Sequence, residues 1–252
     1  LYRGSGTYVN TDGTVNINGG PKDGMIRTEK DVEWARAMVA AGYGLLPSNA
    51  VSKTGIWYGD YVYADLNGDG QYGNSFDRKF TGTSSLPKYL FGFSADASWK
   101  GIDFSMIWAG ATGFQYYWNA DSYNNNAVRQ GYTFTKYVTE NRYYYNEADP
   151  ADPRNNINGS IPRLRSNDAQ SRAVASDAYL YDGSYIKLRN LQVGYTIPQK
   201  LSKKALISRA RVFFSGENLL MITNYPGLDP EIGAGVSYPT MKQYSFGLNA
   251  TF

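Results

Sequence analysis

The chain has 252 residues, with 25 Lys plus Arg against 22 Asp plus Glu. A net charge of +3 without any Lys/Arg run offers no footprint for nucleic acid. Cysteine and histidine are both absent, which excludes disulfides, thiol chemistry, imidazole bases and the usual zinc sites.

Residues 1–27 are Gly-rich and polar, and the Thr/Val alternation in GTYVNTDGTVNI predicts one strand or a loose hairpin. Residues 28–41, TEKDVEWARAMVAA, read as a short helix. Thr28 can cap it, Asp31 completes a capping-box pattern, and Val32, Ala35, Met38 and Val39 form one apolar stripe. Gly42 or Gly44 stops it. From residue 54 the period becomes 2, as in GIWYGDYVYADL, which leads into a Gly/Asn/Asp-rich loop.

The clearest hairpin is KYLFGFSADASWKGIDFSMIWAG. Tyr89, Phe91, Phe93, Ala95, Ala97 and Trp99 alternate with Leu90, Gly92, Ser94, Asp96 and Ser98. Lys100-Gly101 predicts a tight two-residue turn, after which Ile102, Phe104, Met106 and Trp108 alternate with Asp103 and Ser105. Trp99 and Trp108 occupy positions that a membrane interface favours.

Residues 113–183 break this rhythm with Tyr, Asn, Asp, Arg and three prolines, Pro150, Pro153 and Pro162. A loop far longer than ~15 residues in a compact domain is functional or disordered. The clusters YYWNADSYNNN and ENRYYYNEADP are too aromatic for simple disorder. Three more strands follow. In SYIKLRNLQVGYTIP, Ile186 and Leu188 share one parity, whereas Leu191, Val193, Tyr195 and Ile197 share the other, so a bulge is expected near Arg189-Asn190. After a short Lys-rich turn beyond Pro198, ARVFFSGENLLMIT keeps Val212, Phe214, Leu220 and Ile222 in register. The final QYSFGLNATF alternates Tyr244, Phe246, Leu248, Ala250 and Phe252 with small or polar residues.

Tyr contributes 23 residues, Phe 11, Trp 5 and Gly 27, yet the mean hydropathy is −0.47. No stretch approaches the ~18 apolar residues of a membrane helix, so a membrane role would have to use β-strands, whose signal averages out. A soluble β-sandwich alternates too, but its outward face is charged. Here the non-apolar positions are Ser, Gly, Asn, Gln and Thr, and short turns on one side oppose long connections on the other. That asymmetry favours an all-β, antiparallel transmembrane barrel, with a secreted β-sandwich carbohydrate-binding module as the alternative.

DGSYIKLRNLQVGYTIP, RVFFSGENLLMITNYPGLDPE and YSFGLNATF resemble the C-terminal signature of SusC-like (SusC/RagA) TonB-dependent outer-membrane transporters of Bacteroidetes. YADLNGDGQYGNSFD followed by PKYLFGFSADASWKGIDFSMIWAG is similar to the segment before that signature. The resemblance covers residues 54–112 and 178–252, and the co-linear order of several motifs makes it specific. It implies a large plugged barrel of the 22-stranded class, of which this chain would supply roughly the last six to eight strands. Residues 1–53 would then be an extracellular loop region, and 54–252 the C-terminal barrel strands with the long extracellular loop 113–183. The plug domain and TonB box would lie in the remaining N-terminal part of the transporter, and Leu1 in place of Met leads to the same expectation. By the family's topology the Lys100-Gly101 and Pro198 turns face the periplasm, whereas loops 65–77, 113–183 and 224–238 face outward. Phe252 would be the terminal aromatic read by the assembly machinery. The implied function is TonB-dependent import of glycans, oligosaccharides or oligopeptides across the outer membrane, with a SusD-like surface lipoprotein as partner.

Two stretches are candidate sites. DLNGDGQYGNSFD places Asp65, Asn67 and Asp69 at positions 1, 3 and 5 of a calcium loop, with Gly70 at its sharp turn and a carbonyl from Gln71. The twelfth position is Phe76 rather than Glu, and Asp77 comes one residue late, so an Asx-rich turn holding itself together is the other reading. In the long loop, Tyr116, Tyr117, Trp118, Asn119 and Asp121 form the cluster expected to bind ligand or dock a partner, since aromatic rings stack on sugar faces. Docking or self-packing is favoured over direct substrate contact. The acid pairs Glu147/Asp149 and Asp229/Glu231 point to no hydrolytic arrangement, and no enzyme is expected.

Overall fold

The computed structural model describes residues 1–45, 56–118, 134–164, 175–235 and 237–252. Its contacts divide the chain into two units, Leu1–Thr81 with Asn119–Leu180, and Gly82–Trp118 with Tyr181–Phe252. Residues 56–81 therefore fall in with the N-terminal region, whereas the change of period in the sequence puts a boundary at 53/54.

In the first unit, helix α1 (Glu29–Ala40) starts where its capping residues dictate. The Thr28 side chain accepts from the Asp31 amide, and the Asp31 carboxylate accepts from the Thr28 amide at 2.8 Å. Two of the four orphan amides of a helix start are thereby satisfied. The predicted stripe is buried at Val32, Ala35 and Met38, with Trp34 alongside, and it packs against Tyr2, Ile26, Leu45, Ile56, Val62 and Tyr72. Trp34 stacks on Tyr2 at 5.3 Å and donates its indole N–H to the Asn16 carbonyl. Residues 1–27 form a loose hairpin, with one isolated bridge between Val9 and Val15. A second cluster gathers Met25, Tyr61, Tyr143 and Tyr179. A short helix, Lys136–Asn141, lies in the second stretch of this unit.

The period-2 stretch from residue 54 does not make a strand in its described part. Residues 56–66 form one isolated bridge, Tyr61 with Met25, beside scattered backbone hydrogen bonds such as those from Tyr2 to Val62 and from Ile26 to Asp60. Gly59 sits at φ +79°, a left-handed turn that interrupts extended backbone. Tyr61, Val62 and Tyr63 are then all buried in succession, which a half-exposed strand would not allow.

Among the described residues, seven strands follow in chain order: β1 (Tyr89–Trp99), β2 (Ile102–Thr112), β3 (Gln115–Tyr117), β4 (Leu180–Asp182), β5 (Tyr185–Thr196), β6 (Arg209–Thr223) and β7 (Gln243–Thr251). The second unit is built on a five-stranded antiparallel sheet in the order β1-β2-β5-β6-β7. A small second sheet pairs β3 with β4. The β1–β2 hairpin turns on Lys100 and Gly101 at φ +48° and +84°, the geometry of a type I′ turn. The β5–β6 connection is not the short turn expected. A helical turn, Gln199–Ser202, and a 3₁₀ turn, Lys203–Ala205, occupy it, and Leu206 in the left-handed region ends it. The expected bulge is present: the register of β5 shifts between Leu188 and Asn190. On β6 it lies opposite Asn218, which is itself at φ +53°.

Candidate functional site: an exposed apolar sheet face and a pinned loop

Residues directly opposite in antiparallel strands project from the same face. Following the register across the sheet therefore assembles one face from five strands. Phe93 lies opposite Trp108, which lies opposite Leu188, which lies opposite Leu220. Nearer the hairpin end, Phe104, Val193, Phe214 and Phe246 form a second row, and Ile102, Tyr195, Val212 and Leu248 a third. The bulge at Arg189 keeps this face apolar, because the apolar positions of β5 jump from Leu188 to Leu191 where the register shifts. Much of the face is open: Phe246 is 82% exposed and Leu248 64%. Apolar patches on soluble monomers rarely exceed a few hundred Å².

The opposite face is mainly polar, although Leu90, Ile107, Phe213 and Met221 also fall on it. It carries Ser94, Asp96, Asp103, Ser105, Lys187, Gln192, Arg211, Ser215, Ser245 and Asn249. Arg211 reaches across β5 to Asp103, donating from Nε at 2.9 Å and also from a terminal nitrogen. It passes over Gly194, where a Cβ would come within 2.6 Å of the guanidinium carbon. Glycine is thus required there by close approach.

Farther along this face, the residues after β6 are bound to β5 by a charge cluster. Lys187, 2% exposed, donates to Glu231 at 2.5 Å and lies 3.7 Å from Asp229. Arg189 also pairs with Glu231, and the Tyr185 hydroxyl donates to the same carboxylate at 3.0 Å. One carboxylate thus satisfies three donors on one strand. In the sequence, Asp229 and Glu231 read only as an acid pair in an outward turn. The signal that links them to β5 is Lys187 and Arg189, two cations of one parity in a strand with no acidic residue.

The predicted aromatic cluster is partly brought together. Tyr116 sits edge-on between Phe114 at 5.3 Å and Tyr225 at 5.6 Å, and Trp118 stands edge-on to Tyr181 at 5.5 Å. Burial, and secondarily the charge of Asp229, raise the Tyr116 phenol above its ordinary pKa. Phe114 and Trp118 are buried, and Tyr117 is the exposed ring of the three predicted, at 39%. Asn119 and Asp121 lie outside the described residues.

The residues of the candidate calcium loop do lie together. Asp65 accepts from the amides of Gly68 at 2.6 Å and Gly70 at 2.9 Å, and Asp77 from those of Leu66 at 2.6 Å and Asn74 at 2.9 Å. Asp69 accepts from Asn67, Asn74 and the Gln71 amide, and the Asn67 hydrogen bond leads in holding its carboxyl below the usual range. Among the described residues, no group of three or more His, Cys, Asp or Glu side chains is placed to hold a metal ion.

TonB-dependent receptor P3 of Formosa agariphila is 30% identical over 211 residues, which is 77% of this chain and 19% of that protein. TonB-dependent receptor SusC of Bacteroides thetaiotaomicron is 29% identical over 117 residues, 39% of this chain and 12% of SusC. A solved structure of the RagAB peptide transporter matches 68% of this chain and 18% of its own, with 29% identity and a TM-score of 0.52. The chain is a homologue of the SusC-like TonB-dependent receptors. It spans about a fifth or less of the length of the relatives it matches, 19% of receptor P3 and 12% of SusC. A RagAB peptide importer in a closed-closed state aligns with 77% of the chain at 27% identity and a TM-score of 0.52. No protein-family model matches. Among the described residues, the regular structure is mostly β with few helices.

Proposed function

We propose that this chain forms part of the wall and outer loops of an outer-membrane, TonB-dependent importer. The observation that carries this reading is the continuous apolar face, aromatic-rich and open, backed by a polar face. A β-sandwich would cover such a face with a second sheet, and among the described residues the only other sheet is the two-stranded pair β3-β4. The strands are long enough to span: β1 and β2 have 11 residues and β6 has 15. A tilted strand needs about 9–11 residues to cross a bilayer. Lys100, with its ammonium 4.6 Å from the Trp99 ring centre, places an aromatic and a snorkelling cation at one strand end.

In this reading the polar face lines the lumen of a 22-stranded plugged barrel, and the rest of the barrel, with plug and TonB box, pairs with β1 and β7. The imported nutrient is a glycan or an oligopeptide. A SusD-like surface lipoprotein meets the outward loops, and exposed Tyr117 is a contact for partner or substrate. The chain itself performs no catalysis. The Asp65–Asp77 loop holds its shape by amide donors to its own carboxylates, and calorimetric titration with calcium tests whether it also takes a cation.

Cell fractionation tests the main claim. The full-length receptor carrying this segment should sediment with outer membrane and require detergent for release. Recovery in the soluble fraction would overturn it.

A further inference from the structure

A pocket of about 270 Å³ lies wholly within the unit formed by Leu1–Thr81 and Asn119–Leu180. Trp57, Tyr58, Tyr143, Tyr145, Glu147 and Arg163 line it. Its floor is closely packed. Gly59 has no side chain where a Cβ would come within 2.6 Å of the Tyr143 ring, so that ring seats directly on backbone. Asp60, 1% exposed, accepts from the Trp57 amide at 2.9 Å and from the Arg163 guanidinium at 2.8 and 3.0 Å. One buried carboxylate therefore sets the positions of an aromatic and a cation in the lining. The Trp57 indole donates to Glu147 at 3.0 Å and turns edge-on to Tyr58 at 5.2 Å.

The hydroxyls of Tyr58, Tyr143 and Tyr145 have no hydrogen-bond partner among the described residues. Burial, followed by the charges of Glu29 and Glu147, raises the Tyr58 phenol above its ordinary pKa, and burial likewise raises that of Tyr143. Both phenols are thus neutral donors at physiological pH. Phenols that can donate or accept and a carboxylate that accepts match the hydroxyls of a sugar, each of which does both. Aromatic rings supply the apolar surface for the C–H faces of such a ring.

We propose that this pocket binds one pyranose ring of an uncharged glycan. The assignment rests on the import reading for its biological setting and adds a site to it.

The test uses the full-length receptor, purified from outer membrane in detergent. Binding is measured by tryptophan fluorescence and calorimetry against a panel of neutral oligosaccharides (α- and β-glucans, xylans, mannans and galactans), with oligopeptides as the contrasting arm. A panel member should bind. Glu147→Gln and Tyr145→Phe should each weaken it about tenfold, the loss of one hydrogen bond to a charged or well-placed group, with unchanged melting temperature. Trp57→Phe should weaken it by a smaller factor. Absence of sugar binding, binding of oligopeptides alone, or sugar affinity unaffected by all three substitutions would overturn the assignment. Receptor found in outer membrane with any of those results removes only the pocket, whereas receptor absent from outer membrane removes the import reading.

Discussion

Glu231 holds the segment after β6 against β5 by accepting from Lys187, Arg189 and Tyr185. A buried ammonium is tolerable only while paired, because desolvation costs more than an isolated charge can recover. Glu231→Ala should therefore cost about 3 kcal/mol, since it strands Lys187 with Asp229 alone at 3.7 Å. Thermal unfolding of the detergent-solubilised receptor measures this, and replacing Lys187 by Met in the same chain should recover much of the loss. Asp152 poses the acid-side question in the first unit. Hydrogen bonds from Arg154 first, then Asn146, hold its carboxyl far below the usual range. A depressed carboxyl contributes above its unfolded value of about 3.9 and loses its contribution as pH falls through the folded value. The 146–155 loop should therefore keep its protection through about pH 4 and open only in stronger acid, which hydrogen exchange across that range reads. At this scale the sequence shows the oddity of two cations in a strand without an acidic residue. Their acceptor lies more than forty positions away, 44 from Lys187, and no local pattern links them.

Local signals are most legible in the elements. The capping box at Thr28, the stripe of α1, the Lys100-Gly101 turn and the bulge at Arg189 are all readable, because each depends on residues within a few positions of one another. Thr28→Ala should destabilise the first unit by about 1 kcal/mol, the usual worth of an N-cap, seen in its denaturant midpoint. Asp31→Ala should cost more, because this buried carboxylate also accepts from Tyr8 at 2.8 Å and from the Arg27 amide at 3.0 Å. Pattern misleads where environment decides the element. Residues 56–66 alternate like a strand yet fold irregularly, since Gly59 turns the chain and the side chains after it are buried together. The β5–β6 connection holds a helical turn, where Lys200, Lys203 and Lys204 suggest only a polar turn.

For the whole molecule, two adjacent residues of β5 test the facing of the sheet most sharply. Val193 lies on the apolar face and its neighbour Gln192 on the polar face. Val193→Arg should cost about 2–4 kcal/mol if it meets bilayer interior, and Gln192→Arg should be tolerated. Outer-membrane abundance of the two receptors compares them directly, and equal abundance would contradict the facing. The alternation of each strand is written in the sequence, because period 2 is a property of extended backbone itself. So are the tight turn, the helix cap and the absence of thiol and imidazole chemistry. Only the tertiary structure decided that five separate alternations share one face, since register depends on pairing between strands distant in the chain. It also decided which charges meet and which rings surround the Gly59 pocket, because those contacts join residues that no local spacing relates.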